Sequence, residues 1–290
     1  LKNFDKAIRD LDACLSVQPN FSEALWNKSL TLLLMGKYDL GWELYESRWS
    51  TPEFKSKVRH FSSPLWLGEN SLKNKTILIH SEQGLGDTLQ FCRYINLFRN
   101  LSCTVLLEVE RPLVTIMRSL LPKKNIFQKG TQLPEFDYHC PMMSLPLAFK
   151  TIGIPYLENG PYLKPSASAV ARWSGVLGRS NKTRIGLAWR GNPNHVKNNM
   201  RSIKLRELVP LLSPRFDWIS LEINPSEEEK DLIQECGFIT DFGQEIGDFL
   251  STSALCRNLH AVVSVDTSIA HLAGSIGTLV HLMLPYVPDF

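Results

Sequence analysis

The sequence predicts an α/β protein of two Rossmann-like domains with an all-α segment in front of them. Three observations carry this. Apolar residues recur at helical spacing up to residue 50, strands alternate with helices over residues 74–165, and a second alternating block fills residues 166–290. Residues 51–73, with Pro52, Pro64 and Gly68, have little periodicity and read as a linker or wrapping loop. The chain begins at Leu1 inside a helical pattern and stops at Phe290 just after an apolar strand. Both ends are therefore expected to be cut from a longer protein, leaving the second α/β block incomplete.

In the all-α segment Phe4, Ala7, Ile8, Leu11 and Leu15 form one stripe, closed by Pro19 and Asn20. Ser22 is placed as the N-cap of a helix carrying Leu25, Trp26, Leu30 and Leu33, and Gly36 ends it. Tyr38, Trp42, Tyr45 and Trp49 stripe the next helix. The stretch from Asn3-Phe4 to Pro19 aligns with Lys37-Tyr38 onward at an offset of 34, with small residues Ala7 and Gly41 in register. That is the tetratricopeptide period, although one and a half repeats are fewer than such an array needs alone.

In the first α/β block, Thr76–His80, Thr104–Val109 and Phe136–Cys140 read as strands. Asp87–Phe98 and Pro112–Leu121 read as helices, and Gly153–Ser168 as a crossing between domains. In the second, Arg184–Trp189, Trp218–Leu221, Ala261–Val265 and Leu279–Leu284 read as buried strands, and Lys204–Leu212 as a helix. Ser226 and Glu229 form a capping box, so Glu227–Glu229 is most simply a solvated helix start.

Composition narrows the function classes. The 43% hydrophobic and 21% charged residues allow a sizeable core. With 32 basic and 29 acidic residues the formal charge is only +3, which argues against a nucleic-acid partner; the basic stretch from Arg172 to Arg206 suits a local anion site. Cys14, Cys92, Cys103, Cys140, Cys236 and Cys256 form no CxxC pair, and no His cluster has zinc spacing, so no metal is expected. Scattered apolar cysteines fit a reducing, cytoplasmic setting. No signal peptide is present, and no apolar run reaches the roughly 18 residues needed to span a bilayer.

Three segments carry candidate chemistry. His80-Ser-Glu-Gln-Gly-Leu-Gly-Asp87 is a strand entering a glycine turn (Gly84, Gly86) and then a helix. Its helix start favours an anion or an oxygen nucleophile, while the plainer reading of Asp87 is neutralisation of a helix N-terminus. The third glycine of the dinucleotide fingerprint is missing, which weighs against a nucleotide-dependent oxidoreductase; only Glu108 or Glu110 stands near the usual ribose-binding position. Val262–Gly274 contains a strand ending in Asp266-Thr267-Ser268, with His271 one turn into the next helix. Thr267 and Ser268 either present hydroxyls and backbone donors to a diphosphate or simply cap that helix. The loop Trp189–Ser202, with Arg190, His195, Lys197 and Arg201, is either a phosphate clamp or a solvated loop.

Taken together, these segments resemble the heptosyltransferase-like glycosyltransferase family 9, and more closely a bacterial subgroup in which tetratricopeptide repeats precede that domain. Asp266-Thr-Ser-Ile-Ala-His-Leu-Ala-Gly274 is the most specific part, and Cys140-Pro-Met-Met-Ser-Leu-Pro146 and Gly186-Leu-Ala-Trp-Arg-Gly-Asn-Pro193 are also similar. The resemblance implies a GT-B-like pair of domains with acceptor and nucleotide-sugar halves. It also implies an inverting, metal-independent transfer from a nucleotide-sugar co-substrate to a hydroxyl, with no further cofactor. It casts Asp87 as general base and the Asp266–His271 segment as diphosphate holder. Arg201 stands where the heptosyltransferases proper use lysine, and Ser268 where they tend to have glycine.

Glu82 is the reserve base, and Glu222 is placed to contact the nucleotide's ribose or base. The acceptor, whether glycan, lipid or protein, stays open, as does a protein partner bound through the repeats. The rival expectation is a repeat-containing binding scaffold with a degenerate transferase domain; retention of both Asp87 and the Asp266 segment argues against it.

Overall fold

The computed structural model describes residues 3–151, 160–192, 198–286 and 288. The expected interdomain crossing and the basic loop fall partly outside them, and His195 and Lys197 fall wholly outside. The first three helices are α1 (Phe4–Val17), α2 (Ser22–Leu34) and α3 (Tyr38–Tyr45), each packed on the next. Asn3 caps α1 by accepting from the Lys6 N–H at 3.1 Å. Ser22 is not the cap expected of it: it is the first helical residue, and its hydroxyl donates to Glu23. Gly36, at φ +74°, ends α2 in the left-handed region that favours glycine. Gly41 must be small, because a Cβ there would lie 2.6 Å from Leu33 Cδ2. Leu33, Trp42 and Tyr45 belong to the main core, so the helical segment is welded to the first α/β block.

A short α4 (Pro52–Lys55) leads into a stretch that wraps the first sheet instead of hanging free. Trp66 N–H donates to the His139 carbonyl at 2.9 Å, His139 N–H donates to that of Pro64 at 3.1 Å, and Arg59 pairs with the buried Glu108. The first α/β block then runs β1 (Thr76–His80), α5 (Leu85–Phe91), β2 (Thr104–Val109), α6 (Val114–Met117), β3 (Ile126–Gln128), β4 (Tyr138–Pro141) and α7 (Leu145–Ala148). Its strands are all parallel in the order β3-β2-β1-β4. The apolar run Ile77-Leu78-Ile79 is wholly buried, as a central parallel strand covered on both faces requires. The expected helix from Asp87 to Phe98 divides into α5 and a 3₁₀ stretch over Cys92–Asn100.

The second block comprises α8 (Ala167–Leu177), β5 (Arg184–Ala188), α9 (Asn198–Arg201), α10 (Leu205–Leu208), β6 (Asp217–Ser220), α11 (Glu227–Cys236), β7 (Ile239–Thr240), α12 (Phe249–Arg257), β8 (Ala261–Val265), α13 (Ser268–Ser275) and β9 (Leu279–Met283). Its parallel sheet has the order β7-β6-β5-β8-β9. One face joins the main core through Ala188, Val262 and Leu272, and the other buries Trp189, Leu205 and Trp218. The apolar run Leu279–Leu284 predicts a buried strand, but among the described residues β9 pairs only with β8, and Leu279 (59%) and Leu284 (54%) are exposed. Each sheet reverses its order of winding beside its first strand, between β1 and β4 and between β5 and β8. Open α/β sheets bind ligands beyond the strand ends at such points.

All six cysteines are free. Burial raises the thiols of Cys92, Cys140 and Cys256, the last to about 12, so these three are packing groups. Among the described residues no helix is long and apolar enough to cross a membrane.

Candidate active site

The carboxyl ends of both sheets open into one cleft of about 2300 Å³. A site for one small ligand typically holds roughly 300–1,000 Å³, so this cleft has room for two substrates. Its lining includes Gly84, Gly86 and Asp87 from the first block and Arg201, Glu222, Asp266, Thr267, Ser268 and His271 from the second. The helical segment contributes Trp26, Tyr45 and Trp49.

The β1–α5 turn carries Asp87. Gly84 N–H donates to Asp87 Oδ2 at 2.8 Å, which orients the carboxylate at the third position of α5. The helix-neutralising role anticipated for Asp87 is therefore present, together with its place on the cleft wall. The two glycines, however, do not serve a left-handed turn. Gly84 sits at φ −75°, ψ 168°, and Gly86 lies inside the helix. What Gly86 permits is close approach between the blocks: a Cβ there would lie 3.0 Å from His271 Cδ2 and 3.6 Å from Ser268 Cα. The start of α5 and the start of α13 thus meet across the cleft.

Glu82, the reserve base, proves to be occupied. Its side chain is only 4% exposed; it accepts from Arg48 Nε at 3.1 Å, from Arg48 Nη2 at 3.0 Å and from Met143 N–H at 3.0 Å. Burial pushes its carboxyl up and the guanidinium pulls it down. A carboxylate with both oxygens so engaged is a structural partner of Arg48, which leaves Glu82 poorly placed as a proton acceptor. Sequence reading misses Arg48, whose only signal is a cation set between Tyr45 and Trp49 in an aromatic helix stripe.

In the second block, Asp266 directly follows β8, and its Oδ1 lies 4.0 Å from His271 Nε2. Thr267, 9% exposed, caps α13: its hydroxyl accepts from Ile269 N–H at 3.2 Å and lies 3.4 Å from Ser264 Oγ. Capping is the role the geometry gives the Thr267 hydroxyl, while Ser268 beside it lines the cleft. Arg201 ends α9 and lies against Gly191, where a Cβ would come 2.8 Å from Arg201 Nε. That Nε is buried and has no hydrogen-bond partner among the described residues, an exception among buried polar atoms.

Glu222 lines the cleft, but its oxygens are already taken. They accept from Trp189 N–H at 3.2 Å, Arg190 N–H at 3.3 Å and Arg190 Nε at 3.1 Å. Burial raises its carboxyl and Arg190 opposes the shift. Its geometry is that of a bracket for the end of β5, with little capacity left for a ribose. Arg190 is bound in turn to Glu229, so it is no phosphate clamp, and Glu229 joins the capping box to this ion pair instead of standing in solvent. Glu108 and Glu110 are likewise held, by Arg59 and Lys129. Among the described residues no group of three or more His, Cys, Asp or Glu side chains could hold a metal ion.

No protein-family model matches the chain. A curated relative, protein FlbA of Caulobacter vibrioides, is 23% identical over 98% of this chain and 52% of its own length. The chain thus spans about half the length of the curated relative it matches. Solved structures share the fold. The glycosyl transferase family 9 protein of Veillonella parvula superposes at a TM-score of 0.53, with 9% identity over 75% of this chain and 83% of that one. The Escherichia coli ADP-heptose lipopolysaccharide heptosyltransferase II gives 0.51, with 12% identity over 74% and 86%. The dodecameric iron-containing heptosyltransferase TibC, in complex with ADP-D-β-D-heptose, gives 0.50, with 11% identity over 74% and 60%. The chain therefore has the two-sheet fold found in glycosyltransferases of this kind.

Proposed function

We propose that the chain transfers a sugar from a nucleoside-diphosphate donor to an acceptor hydroxyl, with inversion, and without a metal or other cofactor. The observation that carries the reading is the meeting of Gly86 with Ser268 and His271. It sets Asp87 on one wall of a cleft whose other wall holds a helix start and the unpartnered Arg201 Nε. The fold shared with heptosyltransferases supports it, and the ADP-heptose bound in one of them makes that donor the first to try.

In this scheme the acceptor oxygen forms a bond to the anomeric carbon as the bond from that carbon to the diphosphate breaks. Asp87 takes the acceptor's proton, and the electron pair of the broken bond leaves with the nucleoside diphosphate. Arg201, the Ser268 hydroxyl and the dipole of α13 stabilise the charge that develops there. Asp266 and His271 complete that wall.

The helices of residues 1–50 are read as the end of a tetratricopeptide array. The offset of 34 and the close Gly41–Leu33 contact support this.

The test is a donor panel beginning with ADP-heptose, followed by variants. Asp87→Asn is expected to lower kcat by about 10²–10⁴-fold with donor affinity kept. Transfer within a few-fold of the parent would remove Asp87 as the base. Arg201→Ala is expected to weaken donor binding about tenfold or more by calorimetry, and unchanged affinity would dispose of the clamp. A chain that binds donors but never transfers or hydrolyses them would instead be the binding scaffold.

A further inference from the structure

The helical segment reaches the β1–α5 turn with two side chains, Arg48 and Tyr45. Arg48 follows α3 in the 3₁₀ stretch Glu46–Ser50, and its side chain is fully buried. Every direction of its planar fork is used. Nε and Nη2 hold Glu82, Nη2 also donates to Ser144 Oγ at 2.7 Å, and Nη1 donates to Glu46 Oε1 at 2.7 Å and to the Tyr45 carbonyl at 3.1 Å. Its guanidinium lies 4.3 Å from the Trp49 ring centroid and 4.7 Å from that of Tyr45. A second grip is adjacent: Gln83 Nε2 donates to Tyr45 Oη at 2.8 Å. Glu82 and Gln83 are consecutive in the turn, and the next residue, Gly84, donates to Asp87.

We propose that Arg48 is a positioning residue for the reaction. It fixes the Ser81–Gly86 turn, and through it the Asp87 carboxylate, so that the helical segment and the α/β blocks form one catalytic unit instead of a recruitment module joined to an enzyme. The inference rests on Asp87 being the base. A buried carboxylate holding a buried guanidinium is a poor source of net stability. Its worth is directional, because a fork with donors in fixed positions locks the turn where a flexible ammonium would not. A displacement of about 1 Å in a reacting group can cost about 10² in rate.

The test compares Arg48→Met, Arg48→Lys and the double variant Arg48→Met/Glu82→Leu with the parent. Readouts are kcat, donor affinity by calorimetry, and amide hydrogen exchange resolved along the chain. The double variant removes both charges at once, so it keeps a folded protein in hand if the single variant does not fold.

Arg48→Met and the double variant are expected to lose about 10²-fold in kcat with donor affinity within twofold of the parent. Exchange should accelerate at residues 81–86 and stay unchanged across the second sheet. Arg48→Lys should recover part of the rate. Parental turnover in the folded double variant would overturn the proposal, as would donor affinity falling in parallel with kcat or exchange accelerating everywhere. If the parent transfers no sugar at all, the proposed function fails by itself. Exchange then still decides the positional claim: selective loss at 81–86 upholds it, and no selective change overturns it.

Discussion

The β1–α5 and β8–α13 turns are the same device used twice, a buried parallel strand ending at a switch point and handing over to a helix. They differ in what orders them. The second is ordered locally: Thr267 caps its own helix and Asp266 lies near His271 one turn on. The first has its own Gly84–Asp87 cap but is held from outside as well, by Arg48 and Tyr45 of the helical segment and by the Met143 N–H beyond β4. Their strand ends differ as well. β8 closes on Val265, whereas β1 closes on His80, buried against Phe61 and 3.3 Å from the His139 ring nitrogen. A turn ordered by distant partners can be disabled by distant substitutions, and a self-capped turn only by its own residues.

The contrast is broken most forcefully by removing one side of the buried ion pair. Glu82→Ala leaves Arg48 without its main counter-charge, with Glu46 alone remaining. We expect a loss of about 3–5 kcal/mol in denaturant-measured stability, the range for breaking buried pairs. A loss under about 1 kcal/mol would mean that the turn is not held from outside. Acid should act on the same region. Burial, with Arg59 and His139 nearby, depresses His80 from 6.5 to about 3, so the native state keeps it neutral while the unfolded chain protonates it. Its contribution is present in full above pH 6.5 and is lost as pH falls from there toward 3. At pH 4 the difference is on the order of 3 kcal/mol. The parent should therefore lose more stability between pH 7 and pH 4 than His80→Gln does, and equal losses would contradict the assignment.

This difference in ordering also separates what was legible in the sequence from what was not. β1, β8 and the Ser226–Glu229 box are local patterns, and local patterns can be read from spacing. Arg48 and Glu82 are 34 residues apart and meet only once the helical segment has docked, so no periodicity signals the pair. Gly86 reads as a turn residue because glycine usually marks one, yet its role depends on α13, which arrives much later in the chain. β9 reads as buried because Leu279, Val280 and Leu282 are apolar, but burial depends on what covers a strand, and sequence pattern does not report it. The candidate residues of the second wall are easier to find because strand, cap and helix are contiguous there.

The contact between the two turns provides a subtler test. Gly86→Val inserts a branched side chain where His271 Cδ2 is 3.0 Å and Ser268 Cα 3.6 Å from the Cβ position. Overpacking of this kind typically costs about 1–3 kcal/mol. Because the added atoms press on the second wall, the donor KM should rise several-fold even though the substitution lies in the first block. Gly86→Ala should show a smaller effect in the same direction. An unchanged donor KM in both variants would mean that the two helix starts do not share one site.

The smallest effect expected is at the self-ordered turn. Thr267→Ala removes the hydroxyl that accepts from Ile269 N–H, and an N-cap of this type is worth about 1 kcal/mol. Thr267→Ser keeps the oxygen and should restore most of that loss. Because capping is local, the exchange rates of residues 81–86 should not change in either variant, whereas Glu82→Ala should accelerate them strongly. If Thr267→Ala disturbed the first turn as much as its own, the two would be one cooperative element and the distinction between local and external ordering would fail. The contact through Gly86 is where such coupling would have to pass, so Thr267→Ala combined with Gly86→Val measures it directly. Additive losses, within about 0.5 kcal/mol, are the expected result for two turns that touch but are ordered independently.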